Sequence, residues 1–538
     1  MEGSPPRSPS KKFTAKQLNA LAHTASSLSS LNLTSLMGAS RATYGDLEHQ
    51  MQTINPSILI AQRPTILMRI AASGNRERIN LLFQAIQAWS PDRRLEFMEA
   101  RDNYNRTALG YAMSSEPGDA ANKTIGPLLD NGVDLNTQLD ILEKDDEHLD
   151  TVLIRNCNIL MLASYKNKRK NIIELLTWAH DHLSENEYSA FINSVNSNGE
   201  SCLSYVARRG NSEIARLLLG HGANVNAAMT DDGMTALMWA VQENHPPTAS
   251  LLLEHGAIVD ATKTNGSTAL MIACEKGHLG IVRLLIERGA NVNAFLGGGM
   301  TALMFACLNG YLDIVRLLIH RGANVNAVKT NGKTPLLYAI ESDNLDIIKL
   351  LVERGADMNA ARVSDGLTAL IWASQEGQTG SASLLIDNGA NVNAACTDDG
   401  TTALMLASEF NHLDIVRLLI HKSANVNAVR INDGATALML ASEFNHPEIV
   451  RLLMEGGANV NATRTIPPHE TALMLATTDE IRNLLNPQVA NPIEGGRKRI
   501  TRVHRTTQVH RTTQVHCTRK KYKTHKTHKN KKGRLRMY

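Results

Sequence analysis

The chain has 538 residues, room for two to four domains of ordinary size. Apolar residues make up 43% of it but aromatic ones only 4%, so its core is expected to be built from Leu, Ile, Val, Ala and Met, as close-packed helices are. No stretch approaches the ~18 uninterrupted apolar residues of a membrane span, and the opening "MEGSPPRSPSKK" has no apolar signal core. A secreted or membrane-spanning chain is therefore not expected.

The net charge of +4 conceals a division. Residues 497–538 hold 16 Lys and Arg and no acid, which leaves 40 bases against 52 acids, a net of −12, in the rest. An acidic body carries a cationic tail. Cys157, Cys202, Cys274, Cys307, Cys396 and Cys517 form no Cys-x-x-Cys pair and no regular ligand spacing. They read as buried or free thiols of a reducing compartment, which places the protein inside a cell, in cytoplasm or nucleus.

In chain order, residues 1–12 are Pro-, Ser- and Lys-rich and are expected to be disordered. Region 13–60 opens with a capping box, Thr14 to Gln17, and spaces Leu18, Leu21, Ala25 and Leu28 helically. It is expected to cap the segment that follows, a free partner-binding helix being the other reading. Within 61–200, "TILMRIAASGNRERINLLFQAI" from Thr65, "TALGYAM" from Thr107 and "NILMLASYKNKRKNIIELL" from Asn158 are loose copies of one sentence. The step from Thr107 to Asn158 is 51 residues, and part of the excess is expected in "QLDILEKDDEHLDTV".

From 201 to 486 the copies become regular. They start at Ser201, Thr235, Thr268, Thr301, Thr334, Thr368, Thr402, Thr436 and Thr471, in steps of 33 to 35 residues, giving twelve units with the three upstream. The odd residue always enters before the next Thr, which marks a projecting loop. Each unit parses as Thr N-cap, short helix, break, amphipathic second helix, Gly, "ANVNA" and a turn. In "LDIVRLLIHR" the apolar face is Ile314, Val315, Leu317 and Leu318, and Leu418 is assigned to the same face of a later copy. Asp313 with Arg316, Asp414 with Arg417, Glu448 with Arg451, and Glu213 with Arg216 are spaced for ion pairs on the wet side. Gly at 222, 256, 289, 322, 355, 389 and 457 suits a left-handed C-cap, and Ser423 breaks that rule. The last unit, "TALMLATTDEIRNLLNP", is short and is expected to close the stack.

This pattern resembles the ankyrin repeat. "NGKTPLLYA" (331–339) keeps the family's Thr-Pro, while most units have Thr-Ala, and Met238, Met271, Met304, Met405, Met439 and Met474 stand where the family has His. The Met stripe reads as pliable inter-repeat packing. The resemblance implies an all-α solenoid of about twelve helix-turn-helix units with finger loops, a protein partner on the concave face and no catalysis. The long, near-identical array with a basic low-complexity tail is similar in style to ankyrin proteins of giant DNA viruses, those of intracellular bacteria being the next candidates.

No catalytic or cofactor motif survives inspection. "NGKT" (331–334) lacks the Gly that a phosphate loop needs at 327, where Ala stands, and "HETAL" at 469 lacks a second metal-binding His. In the tail, His504, His510, His516, His525 and His528 match no metal-ligand spacing, so no metal is expected. The candidate binding row is the set of first-helix ends: Gln242, Glu243, Glu275, Lys276, Leu308, Asn309, Glu341 with Ser342, Gln375, Glu376, Glu409, Phe410, Glu443 and Phe444. Its recurrent Glu reads as a stripe for a basic or mixed-charge protein, against the plainer reading of a solvated face. Trp239, Phe305, Tyr338 and Trp372 share one slot and read as packing. Residues 487–496 form a linker. In the tail, Arg497, Lys498 and Arg499, then Arg519, Lys520, Lys521 and Lys523, are candidates for non-specific nucleic-acid contact or nuclear import. The protein is expected to be a monomer.

Overall fold

The structure is a computed structural model and describes residues 65–486 apart from 88, 103–104, 115–123, 136–138 and 145–150. The expectations for 1–12, 13–60, 487–496 and 497–538 lie outside the described residues. Helices follow one another in pairs, with four short strands among the described residues. Twelve repeats start at the residues read from the sequence, here numbered 1 (Thr65) to 12 (Thr471). Two compact units divide the chain, Met1–Ala273 with Arg283–Ala290 and Cys274–Val282 with Asn291–Tyr538.

One device starts every first helix. The side-chain oxygen at the opening position accepts the N–H three residues on, as in Met238 to Thr235 at 3.3 Å, Met405 to Thr402 at 3.4 Å and Met161 to Asn158 at 2.9 Å. That satisfies one of the four orphan donors, and loss of such a cap costs about 1 kcal/mol. The helix ends on a left-handed residue, Gly210 (φ 72°) and Gly377 (φ 73°) in repeats 4 and 9, Asn411 (φ 63°) and Asn445 (φ 63°) in repeats 10 and 11. Only Gly and short polar side chains enter that region readily. After the second helix the Gly at 222, 256, 289, 322, 355, 389 and 457 all have positive φ, and Ser423 takes the same conformation at φ 62°.

The second helices bury a narrower face than expected. In Leu312–His320 and Leu413–His421 the buried residues are Ile314, Val315 and Leu318, and Ile415, Val416 and Leu419. Leu317 and Leu418 are only half-buried. At ~100° per residue they sit ~60° beyond Ile314 and Ile415, on the rim of the stripe. Of the expected ion pairs, Glu448–Arg451 forms at 3.3 Å, whereas Glu213 lies 3.5 Å from Arg169 of the preceding repeat.

Within each unit the repeats are joined by polar contacts as well as apolar ones. The "ANVNA" segment is an asparagine ladder. Its second Asn accepts the backbone N–H of the next repeat and donates to that repeat's capping Gly: Asn326 takes Asp357 N–H at 2.8 Å and gives to Gly355 at 2.9 Å. Asn427 does the same with Asn459 at 2.7 Å and Gly457 at 3.1 Å. Neighbouring fingers share a backbone hydrogen bond, such as Thr264 N–H to Asp232 O at 2.9 Å, Val363 to Asn331 at 3.0 Å and Ile431 to Asp399 at 2.7 Å.

The amino-terminal unit holds the insertions. The excess between Thr107 and Asn158 includes a hairpin of β1 (Leu139–Lys144) and β2 (Thr151–Cys157), antiparallel with Ile141 opposite Ile154. Helices Pro91–Met98 and Glu185–Ile192 are further additions that the repeat frame does not foretell. In the carboxyl-terminal unit, repeat 12 shrinks to Ala472–Leu475 and Asp479–Leu485, the shortening expected of a cap. In it Leu473 and Met474 are 37% and 70% exposed, while Met405 and Met439, the counterparts of Met474, are buried.

Candidate partner-binding face

The first-helix ends are where finger side chains land. In the amino-terminal unit Gln242 and Glu243 are half-buried, and Gln242 Nε2 donates to Glu243 at 3.1 Å. In the carboxyl-terminal unit Glu275, Asn309, Glu376, Phe410 and Phe444 are exposed, while Lys276, Leu308, Glu341, Gln375, Glu409 and Glu443 are half-buried. Two of the glutamates are already neutralised from within. Lys333 Nζ lies 2.9 Å from Glu341, and Arg464 Nη2 lies 2.5 Å from Glu443. Arg430 also feels the charge of Glu409. The acidic row is therefore partly a set of internal ion pairs, each cation coming from a finger.

The aromatic slot packs as expected and also takes cations. Phe305 and Tyr338 are buried. Lys333 lies between rings, 4.9 Å from the centroid of Tyr338 and 5.0 Å from that of Trp372, with Arg362 5.8 Å from the latter. In the other unit Arg208 stands 4.9 Å over Trp239. Cation–π contacts of this kind contribute about 0.5–2 kcal/mol. Lys333 is thus engaged by Glu341 and two rings.

Three consecutive fingers differ in one position. Before repeat 9, Arg362 Nε donates to Asp365 at 2.9 Å, and before repeat 11 Arg430 Nε donates to Asp433 at 2.9 Å and Nη2 at 2.6 Å. Burial alone would raise both carboxyl pKa values, but the guanidinium and a backbone N–H outweigh it and hold Asp365 and Asp433 below the ordinary carboxylate range. Before repeat 10 the Arg position is Cys396, and two aspartates follow. Cys396 Sγ and carboxylate oxygens of Asp398 and Asp399 lie within 4.8 Å of one another. Burial and then the neighbouring Asp399 charge push the Asp398 pKa up. Among the described residues neither aspartate has an ion-pair partner. Sequence reading passed over this finger because "TDDG" looks like an ordinary turn.

Exposed apolar side chains occur along much of the array, Phe295 and Val328 on earlier fingers among them, and include two aromatic rings on the last repeats. Phe410 and Phe444 are 42% and 47% exposed at the same position of repeats 10 and 11. Val363, Val429, Ile431 and Ile466 stand exposed on the fingers of repeats 9, 11 and 12.

Stacked helix pairs with capped starts, left-handed exits and hydrogen-bonded fingers define a helical repeat solenoid. A family model for ankyrin repeats, three copies to the model, matches residues 160–263, 229–295, 258–329, 296–362, 360–430, 394–464 and 427–489, and the chain belongs to the ankyrin-repeat family. A search of curated proteins finds no match. Arrays of this family generally mediate protein–protein interaction. No helix among the described residues is long and apolar enough to cross a membrane.

Proposed function

We propose that the protein is a non-catalytic scaffold that holds a protein partner on the first-helix ends and finger tips of its carboxyl-terminal repeats. The observation that carries this reading is the exposure of Phe410 and Phe444 at one position of successive repeats. Fully burying a Phe is worth about 1.5–3 kcal/mol, so a row of two that stays in water suits an apolar anchor seated by a partner. Exposed Glu376 and the partly paired Glu409 and Glu443 border the anchors with negative charge, which favours a partner of apolar and basic character. The five described cysteines are buried, in keeping with a reducing intracellular compartment.

The test is to select binders of the full chain from a display library of folded domains, then measure each on Phe410→Ala/Phe444→Ala. Selected binders are expected to lose tenfold or more in affinity. Binders indifferent to both substitutions would place the working face elsewhere.

A second reading gives the tail its own ligand. Sixteen Lys and Arg without an acid in residues 497–538 favour non-specific nucleic acid, gripped through phosphate. A truncation ending at residue 496 separates the readings. It keeps a protein partner bound to the array and abolishes salt-sensitive RNA or DNA binding.

A further inference from the structure

The fingers before repeats 9 and 11 each hold a cation that the finger between them lacks. Arg362 and Arg430 sit six residues before the Thr that opens their repeats, and each closes onto the aspartate three residues later. At the matching place before repeat 10 stands Cys396, so Asp399, only 4% exposed, has no guanidinium of its own, and Asp398 adds a second carboxylate. The Cys396 N–H donates to Thr401 O at 2.9 Å, which makes these two residues cross-strand partners with side chains on one face of the finger. On that face the Thr401 hydroxyl is buried, with no hydrogen-bond partner. Arg430 feels Asp399 but is engaged by Asp433. Three fingers thus bring four aspartates together with two arginines.

The imbalance extends through the end of the array. Residues 291–359 carry six acids and six bases, whereas 360–486 carry 14 acids and 7 bases. The whole negative excess of repeats 7–12 therefore lies next to the start of the cationic tail. From Asn486, the ten residues 487–496 can span up to ~33 Å and the 42 that follow up to ~140 Å more. The finger before repeat 10 is two repeats back, ~20 Å at 8–10 Å per stacked helix. Tethering keeps the tail at an effective concentration of order millimolar.

We propose that the finger Cys396–Thr401 is a docking site for the chain's own basic tail, a tail Lys or Arg binding Asp398 and Asp399 where Arg362 and Arg430 serve the neighbouring fingers. The contact is weak and ionic, so it disappears by roughly 0.5 M salt, and a polyanion competes for the tail. A partner approaching repeats 9–12 meets the tail first, which makes the tail a reversible competitor for that end of the array.

The experiment uses the full chain and a zero-length carbodiimide, which joins lysine amines to carboxylates in direct contact. Peptide mapping is expected to find Lys520, Lys521, Lys523 and the other tail lysines joined chiefly to Asp398, the exposed carboxylate of the finger. These links should fall at least fivefold at roughly 0.5 M salt, and in Asp398→Asn/Asp399→Asn, which leaves no carboxylate there to join, the tail links should be lost rather than move to other acids, with circular dichroism unchanged. Tail lysines joined evenly over exposed acids such as Asp414 and Glu480, or joined to none, overturn the proposal. So does a divalent-cation occupant: saturable calorimetric binding of Ca²⁺ or Zn²⁺ tighter than about 1 mM by a chain ending at 496, abolished by the same two substitutions.

Discussion

His412 Nε2 donates to the backbone carbonyl of Gln375 at 3.0 Å, tying the start of the second helix in repeat 10 to the end of the first helix in repeat 9. His446 repeats the bond to Glu409 at 3.0 Å, and His245 to Arg208 at 3.1 Å. Although Met stands at 238, 405 and 439, these junctions thus keep a polar bridge between repeats, carried by another histidine. It also explains Gly377. A Cβ there would lie 2.5 Å from His412 Cε1, and φ is +73°. Gly389 has φ +94° with nothing within 4 Å. Both Gly→Ala changes should cost about 1–2 kcal/mol for the left-handed backbone, and Gly377→Ala should cost more, because the imidazole is displaced and its bond lost. Urea denaturation of the two variants measures the difference, and equal losses would remove the histidine from the account.

Ser423 offers the opposite case. It occupies the left-handed exit of repeat 10 that Gly fills in repeats 4 to 9 and 11. Ser423→Gly should stabilise that repeat by roughly 1 kcal/mol, because the Cβ clash disappears and no described side-chain contact is lost. Hydrogen exchange of amides in repeats 10 and 11 should slow about fivefold, while those of repeat 7 stay as they are.

Much of the fold is legible because each repeat states it locally. The N-cap, the left-handed Gly and the buried Ile314, Val315 and Leu318 follow from neighbouring residues, although the same reading placed Leu317 on that face too. What was misread depends on residues more than a helical turn away in sequence, from eight residues to a whole repeat. Glu341 and Glu443 looked like free charges until Lys333 and Arg464 arrived from the fingers, eight and 21 residues off in sequence. The asparagine ladder was invisible for the same reason, since Asn326 meets Gly355 and Asp357 only after stacking. Helices Pro91–Met98 and Glu185–Ile192 fall in insertions, where no repeat frame exists to read against.

The rim position of Leu418 makes a matched pair with buried Leu419. Leu419→Ala should cost about 2–5 kcal/mol, with a cavity left between helices, and Leu418→Ala clearly less. Because repeats contact their neighbours, the damage should loosen repeats 9 to 11 before distant ones. Native-state hydrogen exchange reads this directly. Equal effects of the two substitutions would mean the helix is rotated from its described facing.

Cys274 and Cys307 occupy one slot in successive repeats, both fully buried. Burial pushes both thiols above their ordinary range, Cys307 further by the nearness of Cys274, and burial pushes Cys202 up to about 12. All three should resist alkylation in the native protein at pH 8 and react fully in urea, since the thiolate is the nucleophile. No disulfide should join Cys274 to Cys307, because stacked helix axes lie about 8–10 Å apart and a bridge needs Cα atoms within about 7 Å. A non-reducing peptide map that contains that bond would contradict the register of repeats 6 and 7.

Acid should weaken the fingers before repeats 9 and 11 first. Asp365 and Asp433 have folded pKa values below the ordinary carboxylate value, so the folded state binds fewer protons than the unfolded one as pH falls. The stabilisation they supply is fully present above the unfolded carboxylate pKa, ~4, and is lost as pH drops through the folded values below it. Asp398 acts with the opposite sign. Its raised pKa means it takes up a proton sooner in the folded state, so it costs stability at neutral pH and relieves that cost on acidification. Asp365→Asn/Asp433→Asn should therefore flatten the fall in stability between about pH 5 and pH 3, and Asp398→Asn, made in a chain ending at residue 496 so that no tail cation reaches the finger, should raise stability at pH 7 with little effect at pH 3. Urea midpoints at pH 7, 5, 4 and 3, each variant against its own parent chain, measure both signs, and a loss of stability at neutral pH in the truncated Asp398→Asn would show that this aspartate is paired within the array.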